Sequence, residues 1–251
     1  MQSIDRITDV IQILSKENRF LSISEISLKM DLSPSTVHRL LHSLKEKNYV
    51  IQDNETKKYK LGLEILRIAI NLLNNNNVVN VARKHNKNLA EKCKKMVFLC
   101  VLENDKVICV DTATTRNTSS HFYVRIGSEM PIHVSAAAKS IMAYQDEDYI
   151  KELLNKSEVV KYTDKSKMDY KEIMEEYKRI KAEGFAICDE EMESSVQAIA
   201  SPIRDYKGNV LASVGIILTK VNSNIENHIK DDVKDCADKI SQELGFIKKY
   251  K

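Results

Sequence analysis

Residues 21–48, LSISEISLKMDLSPSTVHRLLHSLKEKN, hold two short helical patterns on either side of a tight turn, and the rest of the chain is read outward from them. Ser22 and Glu25 stand in the S-x-x-E spacing in which a hydroxyl and a carboxylate each satisfy an orphan backbone N–H, so a first helix opens near Ile23. Ile23, Ile26 and Met30 follow the 3.6-residue period until Asp31-Leu32-Ser33 breaks it. Ser33-Pro34 then offers a second start, a hydroxyl cap followed by a proline at the first helical position. This second helix runs to about Lys47, with Val37, Leu40, Leu41 and Leu44 as its apolar stripe. Ser35, Thr36, His38, Arg39, His42, Ser43 and Lys45 fall outside the stripe. A helix fits the major groove of B-form DNA, where hydroxyls, Arg and His reach base edges and phosphates and the helix N-terminus favours a phosphate. Ser33, Ser35, Thr36, His38, Arg39 and His42 are therefore candidate DNA contacts, with Ser35, Thr36 and Arg39 foremost. The competing reading is a plain amphipathic helical hairpin with a solvated outer face.

The residues that follow favour the first reading. Two β-prone runs, Tyr49 to Gln52 and Lys58 to Leu61, flank the polar turn Asp-Asn-Glu-Thr-Lys and suggest a two-stranded wing. Lys57, Lys58 and Lys60 lie where a wing meets the DNA backbone, with Lys57 and Lys58 the chosen contacts; phosphate contacts of this kind add salt-dependent affinity without sequence information. Upstream, Ile4, Ile7, Ile11 and Leu14 put one apolar face on a helix that covers the back of the pair.

At 251 residues, with 43% hydrophobic and 30% charged residues, the chain suits two soluble globular domains. A net charge of +3 excludes a general polycation, so nucleic-acid contact has to come from a local patch. No stretch approaches the roughly 18 apolar residues of a membrane span. The start, MQSIDRITDV, lacks the apolar core of a signal peptide, so a cytoplasmic location and no membrane partner are expected. Five cysteines (Cys93, Cys100, Cys109, Cys188, Cys236) without a C-x-x-C pair indicate neither a disulfide framework nor a cysteine zinc site, and most read as buried thiols. His38 and His42, the one histidine pair at i, i+4 spacing, flank DNA more naturally than they bind zinc. No metal, cofactor or catalytic residue is expected.

The domains read as a winged helix-turn-helix at 1–62, a linker helix at 63–77 and a second domain at 78–251. The linker, LEILRIAINLLNNNN, is too apolar to stand alone between domains. It packs either on its own winged domain or on its copy in a second subunit, and the latter would pair two reading heads on a pseudo-palindromic double-stranded DNA site. From Val78 to Lys95 a basic amphipathic helix follows, its lysines read as a solvated face. MVFLCVLEN, KVICVDTA and HFYVRIG read as strands, Ser135 to Tyr144 and Glu147 to Asn155 as helices, and Asp169 to Glu183 as a longer helix stopped by Gly184. FAICDEE, SVQAIASPIR and VLASVGIIL are further strands, the last two joined by a hairpin turn, before a closing helix at Ile225 to Leu244. The fold class is α+β, an antiparallel sheet covered by helices behind the winged head.

Two segments resemble a known family. RIGSEMPIHVSAAAKSIMAY, residues 125–144, is similar to the G-x-x-x-P-x-H-x-S/T-x-x-G-K-A-x-L-A segment of the IclR family of bacterial transcriptional regulators. EGFAICDEEMESSVQAIASPIRDYKGNVLASVGI, residues 183–216, is similar to that family's G-Y/F-x-x-D-x-E-E motif and the strands after it. With the winged head and Tyr59-x-Leu61-Gly62, the likeness covers nearly the whole chain. The resemblance implies a GAF-like effector-binding fold for the second domain, a dimer or dimer of dimers, and a lean toward repression.

A helix starting at Ser135 presents the N–H groups of Ala136 and Ala137, a seat for a carboxylate. In the family the remaining polar atoms of a ligand meet an Asp, a Cys and two Ser. Aligned without gaps, those places are taken here by Cys188, Ala198, Gly215 and Ile217. Each unmet ligand oxygen would cost about 1–3 kcal/mol, so glyoxylate- or pyruvate-like acids should bind poorly. A larger or more apolar effector keeping a carboxylate at Ala136-Ala137 fits better, and a collapsed, empty pocket in a constitutive repressor is the other outcome. His133 and Ser135 read as capping residues rather than a catalytic pair, and Glu190, Glu191 and Glu193 as acids on an exposed turn, solvated or bonding backbone. A different class of function, a DNA-binding head on a thiol redox-sensing or enzymatic GAF-like domain with Cys188 as sensor, is the alternative.

Overall fold

In the computed structural model, which describes residues 2–17, 19–115, 124–156, 159–220 and 227–247, the capping signals of the first seventy residues become helix ends. α1 (Gln2–Glu17) precedes α2 (Ile23–Met30) and α3 (Pro34–Glu46). Ser22 caps α2 reciprocally: Glu25 N–H donates to its Oγ (3.2 Å) and its own N–H donates to Glu25 Oε2 (2.8 Å). That backbone bond, with Arg19 at 2.7 Å, holds the Glu25 carboxyl down at about 2. β1 (Val50–Gln52) and β2 (Tyr59–Leu61) pair antiparallel, and Leu21 adds a bridge to Tyr59 that ties the wing to the start of α2. Asp53 Oδ1 closes the wing turn by accepting from the Thr56 N–H and hydroxyl. Val10, Leu14, Leu21, Ile26, Val37, Leu41, Leu44, Val50 and Tyr59 form the core of this unit.

α4 (Leu63–Asn74) has no buried residue, and Leu63, Leu66, Ile68, Ile70 and Leu72 are all exposed. The chain separates into two compact units, Met1–Asn75 and Asn76–Lys251, and Asn76 caps the next helix by accepting from Val79 N–H.

The second unit contains α5 (Asn77–Cys93), β3 (Met96–Glu103), β4 (Lys106–Ala113), α6 (Ala136–Met142), α7 (Glu147–Lys156), α8 (Tyr170–Glu183), β5 (Ala186–Asp189), β6 (Val196–Arg204), β7 (Val210–Thr219) and α9 (Asn227–Glu243). Its five strands lie in the order β4-β3-β7-β6-β5, every neighbouring pair antiparallel. Alternation along each strand splits the side chains between two cores. Val97, Leu99, Ile199, Val214 and Ile216 pack with α5 and α9, whereas Met96, Phe98, Cys188, Ala200 and Ile217 pack with α6, α7 and α8. α8 ends where Gly184 takes a left-handed φ of 81°, a conformation that costs a side-chain-free residue little.

One expected strand is not formed among the described residues. Of HFYVRIG, residues 121–123 lie outside the described residues, and Val124 to Gly127 run into a turn in which Gly127 has φ 89° and donates to Cys109 O. β-prone composition overshot here because the positive φ takes the backbone out of the extended region; the segment stays tied to β4 by the Ile108 to Glu129 bridge and by backbone bonds of Gly127, Ser128 and Met130 to Cys109 and Val107. Among the described residues no helix is long and apolar enough to cross a membrane.

Candidate functional site

The start of α3 is a cluster of hydroxyls. Ser33 Oγ accepts from Thr36 N–H (3.3 Å) and lies 3.0 Å from Ser35 Oγ and 2.8 Å from Thr36 Oγ1. Val37, Leu41 and Leu44 anchor the helix, so the opposite side is left in solvent: Ser33, Ser35, His38, Arg39 and His42 are exposed and Thr36 half-buried. Among the described residues the Arg39 guanidinium engages no other group, which leaves its fork of donors available. The His38 and His42 rings stack obliquely at 6.4 Å, and His42 Nδ1 is 3.9 Å from Glu46. Lys45, by contrast, is held by Gln52 (2.9 Å), whose amide also donates to Lys57 O, and this brace fixes the wing against α3. Lys57 is exposed with φ 56°, and Lys58 is half-buried beside it. Among the described residues no three His, Cys, Asp or Glu side chains are placed to hold a metal ion.

The seven residues proposed from the sequence for the effector lie on one side of the second sheet. Cys188 pairs with Ala198 and Ala198 with Ile217, so these three make a continuous row across β5, β6 and β7. Gly215 sits two residues along, opposite Ala200. α6 covers this row, with Ala136 and Ala137 in the same core and Ser213 Oγ donating to Ala137 O at 3.1 Å. Lys139 N–H to Ser135 O is the first bond of the α6 ladder, so the Ala136 and Ala137 N–H groups precede it. Ser135 does not cap as expected: it stands at the cap position, but its hydroxyl reaches no N–H of α6. A ψ of 132° nonetheless gives the backbone an ordinary cap geometry.

Gly215 is glycine for a steric reason. A Cβ there would lie 2.4 Å from Ile199 O and 2.5 Å from the tip of the Phe98 ring. Phe98, which sequence reasoning did not single out, thus fills the volume that a side chain at 215 would occupy.

The larger omission is electrostatic. Lys139 in α6 is fully buried and pairs with Glu191 (2.6 Å) and Glu176 of α8 (3.5 Å). Glu191 is itself buried, which corrects the expectation of an exposed position; its Oε1 also lies 3.5 Å from the Asp189 N–H, and its Oε2 has no partner among the described residues. The turn after β5 folds inward because Thr163 and Ser166 hydroxyls hold the Glu190 and Glu191 carbonyls. Burial would raise the Glu176 carboxyl; Lys139, Arg179 and Lys167 outweigh it and hold it low. Glu190 is half-buried, its carboxyl held at about 2 by Lys165 and Lys220. Glu193 is exposed.

His133 Nε2–H donates to Val160 O (2.9 Å), a structural tie and not a catalytic one. Cys188 is buried, and burial pushes its thiol above the usual range, so it lacks the thiolate character that a peroxide sensor needs.

Comparison with known proteins finds matches over both units of the chain. Residues 3–54 match the IclR helix-turn-helix domain, and residues 70–242 match the model described as bacterial transcriptional regulator IclR C-terminal. The HTH-type transcriptional regulator KdgR of Escherichia coli (strain K12) is 26% identical over 249 residues, covering 98% of this chain and 94% of that one. The HTH-type transcriptional repressor AllR of the same strain is 24% identical over 247 residues, covering 98% and 91%. The crystal structure of an IclR homolog complexed with 4-hydroxybenzoate from Microbacterium hydrocarbonoxydans superposes with a TM-score of 0.82 at 18% identity, covering 96% and 98%.

Proposed function

The chain belongs to the IclR family of bacterial transcriptional regulators, DNA-binding proteins with a C-terminal effector-binding domain and not enzymes, and on that premise we propose that it is a cytoplasmic repressor whose operator affinity is set by a small carboxylate. The observation that carries the DNA half is the outer face of α3: three hydroxyls at the helix start, then an unengaged Arg39, flanked by His38 and His42, with Lys57 and Lys58 of the wing alongside. The hydroxyls and the first N–H groups suit a phosphate, and Arg39 suits a guanine edge in the major groove. A repressor role is supported by the likeness to AllR.

The homodimer rests on α4. Five large apolar side chains exposed on a twelve-residue helix are a surface that water disfavours, and a second copy of α4 is the simplest cover. Two reading heads joined this way address a pseudo-palindromic operator.

For the effector, the apolar row Cys188, Ala198 and Ile217, with Gly215 beside it, faces Ser135, Ala136 and Ala137, which suits an apolar body ending in a carboxylate. The complex of the Microbacterium homolog with 4-hydroxybenzoate supports an aromatic acid over a small α-keto acid. A ligand that prefers one packing of α6 on the sheet would shift the population of DNA-competent dimers. Two measurements test the proposal. Selection of binding sites from random duplex DNA should return two half-sites in inverted repeat. A thermal-shift series should show stabilisation by 4-hydroxybenzoate or a related aromatic acid and none by pyruvate or glyoxylate; tight pyruvate binding overturns the effector class.

A further inference from the structure

Cys100 on β3 and Cys109 on β4 are direct partners across a hairpin. The hairpin turns on Asn104-Asp105, whose φ values of 48° and 66° mark the two-residue turn that matches strand twist. Glu103 and Lys106 close that turn as a hydrogen-bonded pair, and pairs alternate from there. Leu102 with Val107 and Cys100 with Cys109 therefore fall in the non-hydrogen-bonded class.

A second observation agrees. Cys109 N–H donates to Ser128 O (2.9 Å) and its C=O accepts from Gly127 N–H (2.7 Å), so both backbone groups turn away from β3. In a non-hydrogen-bonded pair the Cα atoms stand about 4.5 Å apart with side chains at their closest. That lies within the roughly 4.4–6.8 Å over which a disulfide forms. Both thiols point into the core under α6 and are free.

We infer that Cys100 and Cys109 are an oxidation site, a dithiol that a hydroperoxide converts into a cross-strand disulfide. The Cys109 sulfur attacks the peroxide O–O bond, becoming a sulfenic acid while one molecule of water or alcohol leaves. The Cys100 sulfur then displaces the sulfenic oxygen; the S–S bond forms, a second water departs, and the peroxide has been reduced by two electrons. The Cys100 S–H donates to Cys109 and holds the Cys109 thiol below its ordinary pKa, which selects Cys109 as the attacking sulfur. Burial of both thiols makes the first step slow and keeps larger oxidants out.

Trypsin separates the two residues, into Met96–Lys106 and Val107–Arg116, so the link is readable directly. Purified full-length protein treated with hydrogen peroxide should lose about 2 Da, regain it with dithiothreitol, and yield those two peptides as one cross-linked species. C109S should abolish the loss, while a C93S/C188S/C236S variant should keep it. Protein that stays folded by circular dichroism but gives no such peptide, or carries Cys109 to a sulfinic acid without the link, overturns the inference; so does a link that maps to other cysteines.

Discussion

α3 and α6 are the two helices on which the proposed function turns, and they are embedded in opposite ways. α3 buries three residues and leaves its polar side in water, whereas all seven residues of α6 are buried, Lys139 and Ser140 included. A surface to be read by a rigid partner can be finished in advance. A surface that reports on a small molecule has to sit where a change of occupancy moves the packing, and α6 sits between the sheet and α8 with a buried charge as its fastener.

The sharpest way to break that contrast is Lys139→Met. Removing Lys139 takes from the buried Glu191 its nearest cation, while Glu176 keeps Arg179 and Lys167, and breaking a buried pair in this way costs about 3–5 kcal/mol. Urea unfolding should show the loss in full, and adding Glu191→Gln should recover part of it. Gly215→Ser comes next: the new Cβ meets Phe98 and the Ile199 carbonyl, and overpacking of this kind costs about 1–3 kcal/mol. An undiminished unfolding midpoint would show that Phe98 moves aside to admit the new side chain.

Arg39→Ala should do the reverse, leaving thermal stability alone while weakening selected operator DNA by about 1–3 kcal/mol, or roughly 5- to 150-fold. Unchanged binding in a gel-shift series would displace α3 as the reading helix. The smallest effect separates the two units by acid. Glu25 in the first and Glu190 in the second are both held at about 2, below the ordinary 4.5. A depressed carboxylate contributes stability that is complete above about 4.5 and fades as pH falls toward 2. Glu25→Gln should flatten this acid slope in the winged unit only and Glu190→Gln in the second unit only, as read by denaturant midpoints at pH 3, 4, 5 and 7.

Much of the winged unit was legible because its signals are local: Ser22 with Glu25 and Ser33 with Pro34 fix helix starts within four residues. The effector side was less so. Cys188, Ala198 and Ile217 could be placed on strands, but their alignment in one row depends on register, which no single strand encodes. Glu191 was misread because its partner Lys139 lies 52 residues away, and an acidic run gives no sign that one member turns inward. Phe98 escaped notice for the same reason, since only the pairing of β3 with β7 brings it to Gly215. The Cys100 and Cys109 match was within reach, because both stand four residues from the Asn104-Asp105 turn.

The bare apolar flank of α4 carries a physiological corollary. If α4 pairs with its copy as proposed, the protein would occupy a promoter in proportion to the square of its abundance while it is scarce. Modest changes in its own synthesis would then switch target genes more steeply than any adjustment of its grip on DNA.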